Sequence, residues 1–274
     1  MIQKRYRGLE QCSLAVMFLL MVSCSKSPEQ ALEKTGAILR KDSDGDLHSL
    51  QYTHRDTIPP ELLALPTGLK ILNLQGSAVE GKHLKNWEGL TKLQELNLTG
   101  SRIGDEDLAT IAKFAELKTL HLSTTSIKGE GLAHLADMDS LENLYLGDNA
   151  LETGALNYLA KLKNLRVLDL HATGITDYDM FDLKDQVSLE WLWLTNNKIT
   201  DKGLEHLSGM IHLRGLYLNH TKVTYKGFSA LEPLQNLETV WIVNRSVNAT
   251  HVPALKGVVP KTCQINVRLP SRNP

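Results

Sequence analysis

Cysteine is scarce in this 274-residue chain, with three in all, and their positions leave no pair to cross-link. Cys12 lies inside an apolar leader and Cys24 at its end, so Cys263 stands alone in the remainder. No intramolecular disulfide is expected, and even in an oxidising compartment the core must hold the fold. Charge of one sign is also missing. The formal net charge is -1, which gives no reason to expect nucleic acid or an anionic surface as partner. No apolar run reaches the roughly 20 residues that a transmembrane helix needs. Nor does the sequence offer a nucleophile beside a base, or metal ligands at close spacing. A non-enzyme is expected, with no catalytic residue, metal or cofactor.

What is there begins with a distinct leader. Lys4, Arg5 and Arg7 precede an apolar run from Leu14 to Val22, followed by Ser23 and Cys24, the pattern of a secretory signal over residues 1–23. Met21-Val22-Ser23-Cys24 resembles the lipobox of bacterial lipoproteins, with Met where Leu is usual. The resemblance implies cleavage before Cys24, lipidation of its thiol, and a product tethered to a membrane leaflet of the bacterial cell envelope. Ser25 after the cysteine is compatible with outer-membrane sorting in such families. A plain cleaved signal with an incidental Cys24 is the alternative. Residues 24–36 read as a tether, with a short helix begun at Pro28.

The rest of the chain is organised by one period. Leucine stands at 69, 93, 117, 141, 165, 189, 213 and 237, each 24 residues after the last, with no insertion or deletion. Within each unit apolar residues recur three, five, ten, fifteen and eighteen places on. Leu189, Leu192, Leu194, Ile199, Leu204 and Leu207 show the set, and Met210 closes it.

These residues carry a resemblance. LxxLxLxxN/TxI followed by TDxGLxxLxxL is similar to the leucine-rich-repeat family, over roughly residues 47–267. Among its subtypes the I-T-D-x-G-L helix entry is similar to that of bacterial surface proteins and of the repeat half of F-box ubiquitin-ligase adaptors. No F-box-like helical segment precedes the repeats, so an adaptor role is not carried over. The resemblance implies an α/β right-handed solenoid, or horseshoe, with a parallel sheet on the concave face and helices on the convex face.

Elementary physics leads to the same place. Leu189, Leu192 and Leu194 surround a short strand, whose successive side chains point to opposite faces. Leu204, Leu207 and Met210 have the spacing of one helical face, and Thr200 and Asp201 offer oxygens to the orphan amides of the helix start. One such unit cannot bury its apolar side, but stacked units share a continuous core. The eighth residue after each leading leucine is polar: Ser77, Ser101, Thr125, Asn149, Thr173, Asn197, Thr221 and Arg245. The first seven read as a ladder that bonds backbone groups where the strand turns. Arg245 is too long for the slot, which places the end of the stack there.

Terminal rungs need covers. Residues 37–68 read as an N-terminal cap, with a hairpin through Asp42-Ser-Asp-Gly-Asp46, and an irregular first rung. Eight repeats fill 69–258. In 259–274 the alternation of Cys263, Ile265, Val267 and Leu269 predicts a capping strand and tail. The Asp42, Asp44, Asp46 triplet superficially resembles a calcium loop, but its glycine falls at the fourth place and no Glu follows at the twelfth, so a hairpin turn explains it. Cys263 reads as a small buried hydrophobe. His134, His206 and His212 fall on outward helix or loop positions. His121 and His171 lie on the outward strand face, two rungs apart and out of reach of a shared metal.

The concave face carries the functional expectation. Its central column runs Asn73, Asn97, His121, Tyr145, Asp169, Trp193, Tyr217, Trp241, polar first and aromatic after. Trp191 shares the face, and Gly215 beside it on the next rung is expected to leave room for a guest. Exposed Trp and Tyr at this density mark recognition sites. A ligand-binding face of Tyr145, Asp169, His171, Trp191, Trp193, Tyr217 and Trp241 is therefore expected, taking a protein or, less readily, a glycan. Asp169 would favour a cationic or hydroxyl-rich group. A spacer whose rings merely stack on one another, or an adaptor within a larger complex, is the competing expectation.

Overall fold

The computed structural model describes residues 27–267. The leader, Cys24 and Leu269 lie outside them. Among the described residues eleven strands form one sheet in chain order. They are β1 (Ile38–Lys41), β2 (Leu47–Gln51), β3 (Ile71–Asn73), β4 (Glu95–Asn97), β5 (Thr119–His121), β6 (Asn143–Tyr145), β7 (Val167–Asp169), β8 (Trp191–Trp193), β9 (Gly215–Tyr217), β10 (Thr239–Ile242) and β11 (Gln264–Val267). The β1–β2 hairpin is antiparallel and every later pairing is parallel, with residues 24 apart as partners from β3 to β10.

The unit's apolar positions explain this register. Each central strand leucine, from Leu72 to Leu216, and each leading leucine is buried. A slip by one residue would put polar neighbours into the core. Across the core stands a short helical element per unit. Asp177–Asp182 and Asp201–Glu205 are α-helical, whereas Glu130–Leu135, Ala155–Lys161 and Tyr225–Leu231 are 3-10. A helix was expected in each unit. With few residues left after the strand and two crossings, the longer-rise 3-10 turn spans the width better.

The polar ladder forms as its chemistry requires. Ser77, Ser101, Thr125, Thr173 and Thr221 each donate a hydroxyl to the carbonyl three residues back. Asn149 and Asn197 also reach the preceding rung: Asn197 Nδ2 donates to Leu194 O (3.1 Å) and Leu170 O (2.7 Å), while its Oδ1 accepts from Gly174 N (2.9 Å). Arg245 is exposed, and the stack continues past it because Asn244 takes the slot. Its Nδ2 donates to Val223 O and its Oδ1 accepts from Ser246 N and Val247 N.

A second set of bonds stitches successive units. Asp201 was expected to serve its own helix start. Instead its carboxylate accepts from Thr224 N (2.7 Å) and Thr224 Oγ1 (2.6 Å) on the next rung, as Asp177 does from Thr200 N and Oγ1. Thr200 itself caps, accepting from Lys202 N. The glycine two residues after Asp201 keeps the way open, since a Cβ on Gly203 would lie 2.5 Å from Asp177 Oδ1 and one on Gly227 2.5 Å from Asp201 Oδ1.

Both ends are closed. At the N-terminus, the helix Pro28–Lys34 is capped by Ser27, buries Leu32 and pairs Glu29 with Lys41 at 2.6 Å. This segment, expected to be tether, is thus docked on the cap, because Leu32 has apolar surface to bury there. Trp87 fills the first rungs and donates its indole N–H to Leu62 O. The hairpin turn is closed by Asp42 Oδ1, which accepts from Asp44 N and Asp46 N, with Gly45 at φ +85°. At the far end β11 pairs with β10 and Cys263 is buried, its thiol pushed up to about 11 by burial.

Candidate recognition face

The outward strand residues form three columns, two, four and six places after each leading leucine. In the central column the side chain nearest in chemistry to the backbone often bonds it. Asn73, Asn97 and Asp169 each accept from the amide two residues on. Asn73 and Asn97 are thus satisfied locally, which makes the polar half of the face a structural surface.

The other members stack. His121 lies on Tyr145 with ring centroids 4.2 Å apart and planes 7° from parallel. Trp193 lies on Tyr217 at 4.8 Å and 9°, and Tyr217 on Trp241 at 6.5 Å and 10°. Trp191 joins from the neighbouring column, 6.2 Å from Trp193. Parallel strands in register, about 4.8 Å apart, force this arrangement on any ring repeated at one position. All six rings are half-buried, keeping one part in solvent.

The guest space expected at Gly215 is filled. A Cβ there would sit 2.1 Å from Trp191 Cε3, so the indole of Trp191 itself lies across the glycine. His171 covers Gly147 in the same way, 2.0 Å from where a Cβ would be. The lack of a side chain on one rung is used by the large ring of another, a choice of rotamer that spacing alone does not reveal.

Between the two ring stacks stands Asp169. It pairs with Tyr145 on one side and Trp193 on the other in the sheet register. His171 bridges two carboxylates, with Nδ1 2.8 Å from Asp169 Oδ1 and Nε2 2.9 Å from Asp148 Oδ2. Burial opposes charge on this imidazole, but the bonds and fields of Asp169 and Asp148 outweigh it, and its pKa is raised. His121 moves the other way: burial pushes it down against the pull of Asp169. Burial also raises the phenol of Tyr145, helped by Asp169 and Glu95. Among the described residues no group of three or more His, Cys, Asp and Glu is placed to hold a metal.

The seven residues expected from sequence thus share one surface, with Trp191 turned across Gly215 and His171 tied to its two carboxylates. Two further features were not foreseen. Asp148, a member of the His171 bridge, has a positive φ of 56°, as do Thr124, Ala172, Asn196 and His220 at 24-residue intervals. Along the strand entrances, one place after each leading leucine, charges alternate: Lys118 pairs with Glu142 at 3.3 Å, Arg166 with Glu190 at 2.6 Å and Arg214 with Glu238 at 2.6 Å. The alternation K, E, R, E, R, E from Lys118 to Glu238 was visible as a column and could have signalled the pairs.

Comparison with known proteins agrees with this architecture. Two leucine-rich-repeat family models match, one over residues 89–112 and one over 188–210. A search of curated proteins found no match. Among solved structures, internalin C2 of Listeria monocytogenes is similar at 24% identity and a TM-score of 0.62, covering 78% of this chain and 91% of that one. An internalin, InlF, of the same organism is similar at 18% identity and a TM-score of 0.51, covering 88% of this chain and 89% of that one. The units, their register and these likenesses identify the fold as a leucine-rich-repeat solenoid.

Proposed function

We propose that the chain is a non-enzymatic binding module of the bacterial cell envelope that recognises a protein on its concave face, from Tyr145 to Trp241. The observation that carries this reading is the row of half-buried rings, Trp191, Trp193, Tyr217 and Trp241, on three successive rungs. Flat rings held by their neighbours lose little freedom when a partner covers them, so they bind economically. The leader and Cys24 favour a lipid-anchored, exported product. Acyl labelling of the Cys24→Ser variant tests the anchor, and continued labelling refutes it.

The recognition experiment is capture from a cell-envelope extract by the mature chain beside Trp193→Ala and Asn97→Ala. Loss of roughly 2 kcal/mol, about thirtyfold in affinity, is expected for Trp193→Ala alone. The near-parallel stacking at 4.8 and 6.5 Å favours a second reading, a spacer stiffened by its rings. Under that reading the Trp193 variant loses stability while any binding survives.

A further inference from the structure

The ring column of the concave face is interrupted once, and the interruption is a carboxylate. His121 and Tyr145 form one stack, Trp193, Tyr217 and Trp241 the other, and Asp169 lies between them in register with both. Tyr145 and Trp193 are thus two strand spacings apart, about 9.6 Å at the sheet. One planar group stacked at about 3.5 Å from each wall needs roughly 7 Å, so one plate fits and two do not.

The floor of this gap is anionic. Asp169 Oδ1 is occupied by His171 N–H and Nδ1, whereas Oδ2 receives only the longer 2.9 Å contact from Nδ1. A carboxylate has about four acceptor positions, so Oδ2 retains capacity for a further donor. With Asp148 on the other ring nitrogen, the Asp148–His171–Asp169 group stays negative even when the imidazole is protonated. The field of Asp169 reaches the wall, since it contributes to the raised pKa of Tyr145 and acts on His121.

Apart from His171, which its two carboxylates outweigh, no basic side chain on the face competes. The chain has 30 Lys and Arg, yet none stands in the three outward columns of the eight units, where Glu95 and Asp169 are the acids. The nearby Arg166 and Arg214 stand at the strand entrances and are held by Glu190 and Glu238.

We propose that this gap is a slot for an arginine side chain of the protein partner, its guanidinium lying flat between Tyr145 and Trp193 with one edge on Asp169. The proposal rests on the concave-face reading and names the chemistry of its ligand. Guanidinium suits the slot better than ammonium because it is planar, weakly hydrated, stacks on rings through both faces and donates along its edge to a carboxylate.

The test is a titration of the mature chain with acetyl-Gly-Arg-Gly-amide, followed by the NMR signals of the tryptophan indole N–H groups. Lysine and citrulline peptides of the same length are the comparators. Expected are a saturable shift of the Trp193 signal, binding at least about tenfold weaker for citrulline and weaker for lysine, and a similar loss in Asp169→Asn and Tyr145→Leu. Equal binding of citrulline or of lysine overturns the slot, as does an unmoved Trp193 signal. If Asp169→Asn does not fold, Tyr145→Leu and the citrulline comparison still decide. Failure of the arginine peptide with Trp193-dependent protein capture intact removes the slot alone. Arginine binding without Trp193-dependent capture removes the wider reading instead.

Discussion

Asn197 offers the sharpest test of how the rungs are held together. Its side chain is buried and bonds backbone groups on two rungs, chiefly Leu194 O, Leu170 O and Gly174 N. In Asn197→Ala, Leu170 O keeps the Thr173 hydroxyl at 2.7 Å, so the loss concentrates on two groups. Leu194 O becomes a buried acceptor without a donor, at about 1–3 kcal/mol. Gly174 lies at an exposed turn, where water replaces the bond at about 1 kcal/mol or less. A total of about 1–4 kcal/mol follows, on the order of 2–15 °C in melting temperature for a domain of this size. Asn197→Thr distinguishes the parts. By analogy with Thr173 and Thr221, its hydroxyl restores the bond within the rung and not those across it, so most of the loss should return. Urea melts of the three proteins followed by circular dichroism give the answer. A change below about 0.5 kcal/mol in Asn197→Ala, or a threonine variant no better than alanine, would refute the ladder argument.

Other outcomes follow from the same geometry. Leu192→Asp places an unpaired charge in a fully buried strand position and should cost several kcal/mol, seen as loss of cooperative thermal melting; an unchanged melt contradicts the core assignment. Gly227→Ala drives a Cβ to 2.5 Å from Asp201 Oδ1 and should lower the urea midpoint, whereas Gly154→Ala is a poorer control because Gly154 has φ +85°. For His171, the raised pKa means that the charged form is favoured by folding; its contribution is full below the unfolded value of about 6.5 and is lost as pH rises through the folded value. His121, shifted down, acts with the opposite sign. The stability difference between the native chain and His171→Gln should therefore shrink from pH 6 to pH 9, and a constant difference refutes the bridge.

The parts of this molecule legible in sequence are those that repeat. The leading leucines state the register, and strand alternation states which side faces the core, because one slipped residue would invert it. The same logic brought Trp191, Trp193, Tyr217 and Trp241 to one face. What escaped depends on side-chain direction and on partners about 24 residues away. Gly215 looked like empty space because its occupant, the Trp191 ring, is on another rung. Asp201 looked like a local cap because the donors near it in sequence resemble those on the next unit. Asn244 escapes the repeat pattern because the ladder position falls on Arg245, one residue later. The Leu32 helix was taken for tether because its apolar content is a single buried leucine, too little to announce docking.

The stitches from Asp177 and Asp201 to the next unit give the solenoid two interchangeable joints. Asp177 meets Thr200 and Gly203 just as Asp201 meets Thr224 and Gly227. Excising residues 189–212 as one block would bring Asp177 opposite Thr224 and Gly227, a joint of identical chemistry, and leave the molecule shorter by about 4.8 Å. The same excision removes Trp191 and Trp193. Length and the proposed recognition face are thus written in the same unit but in different letters of it, so at this joint the solenoid can change its reach without redesigning the seam.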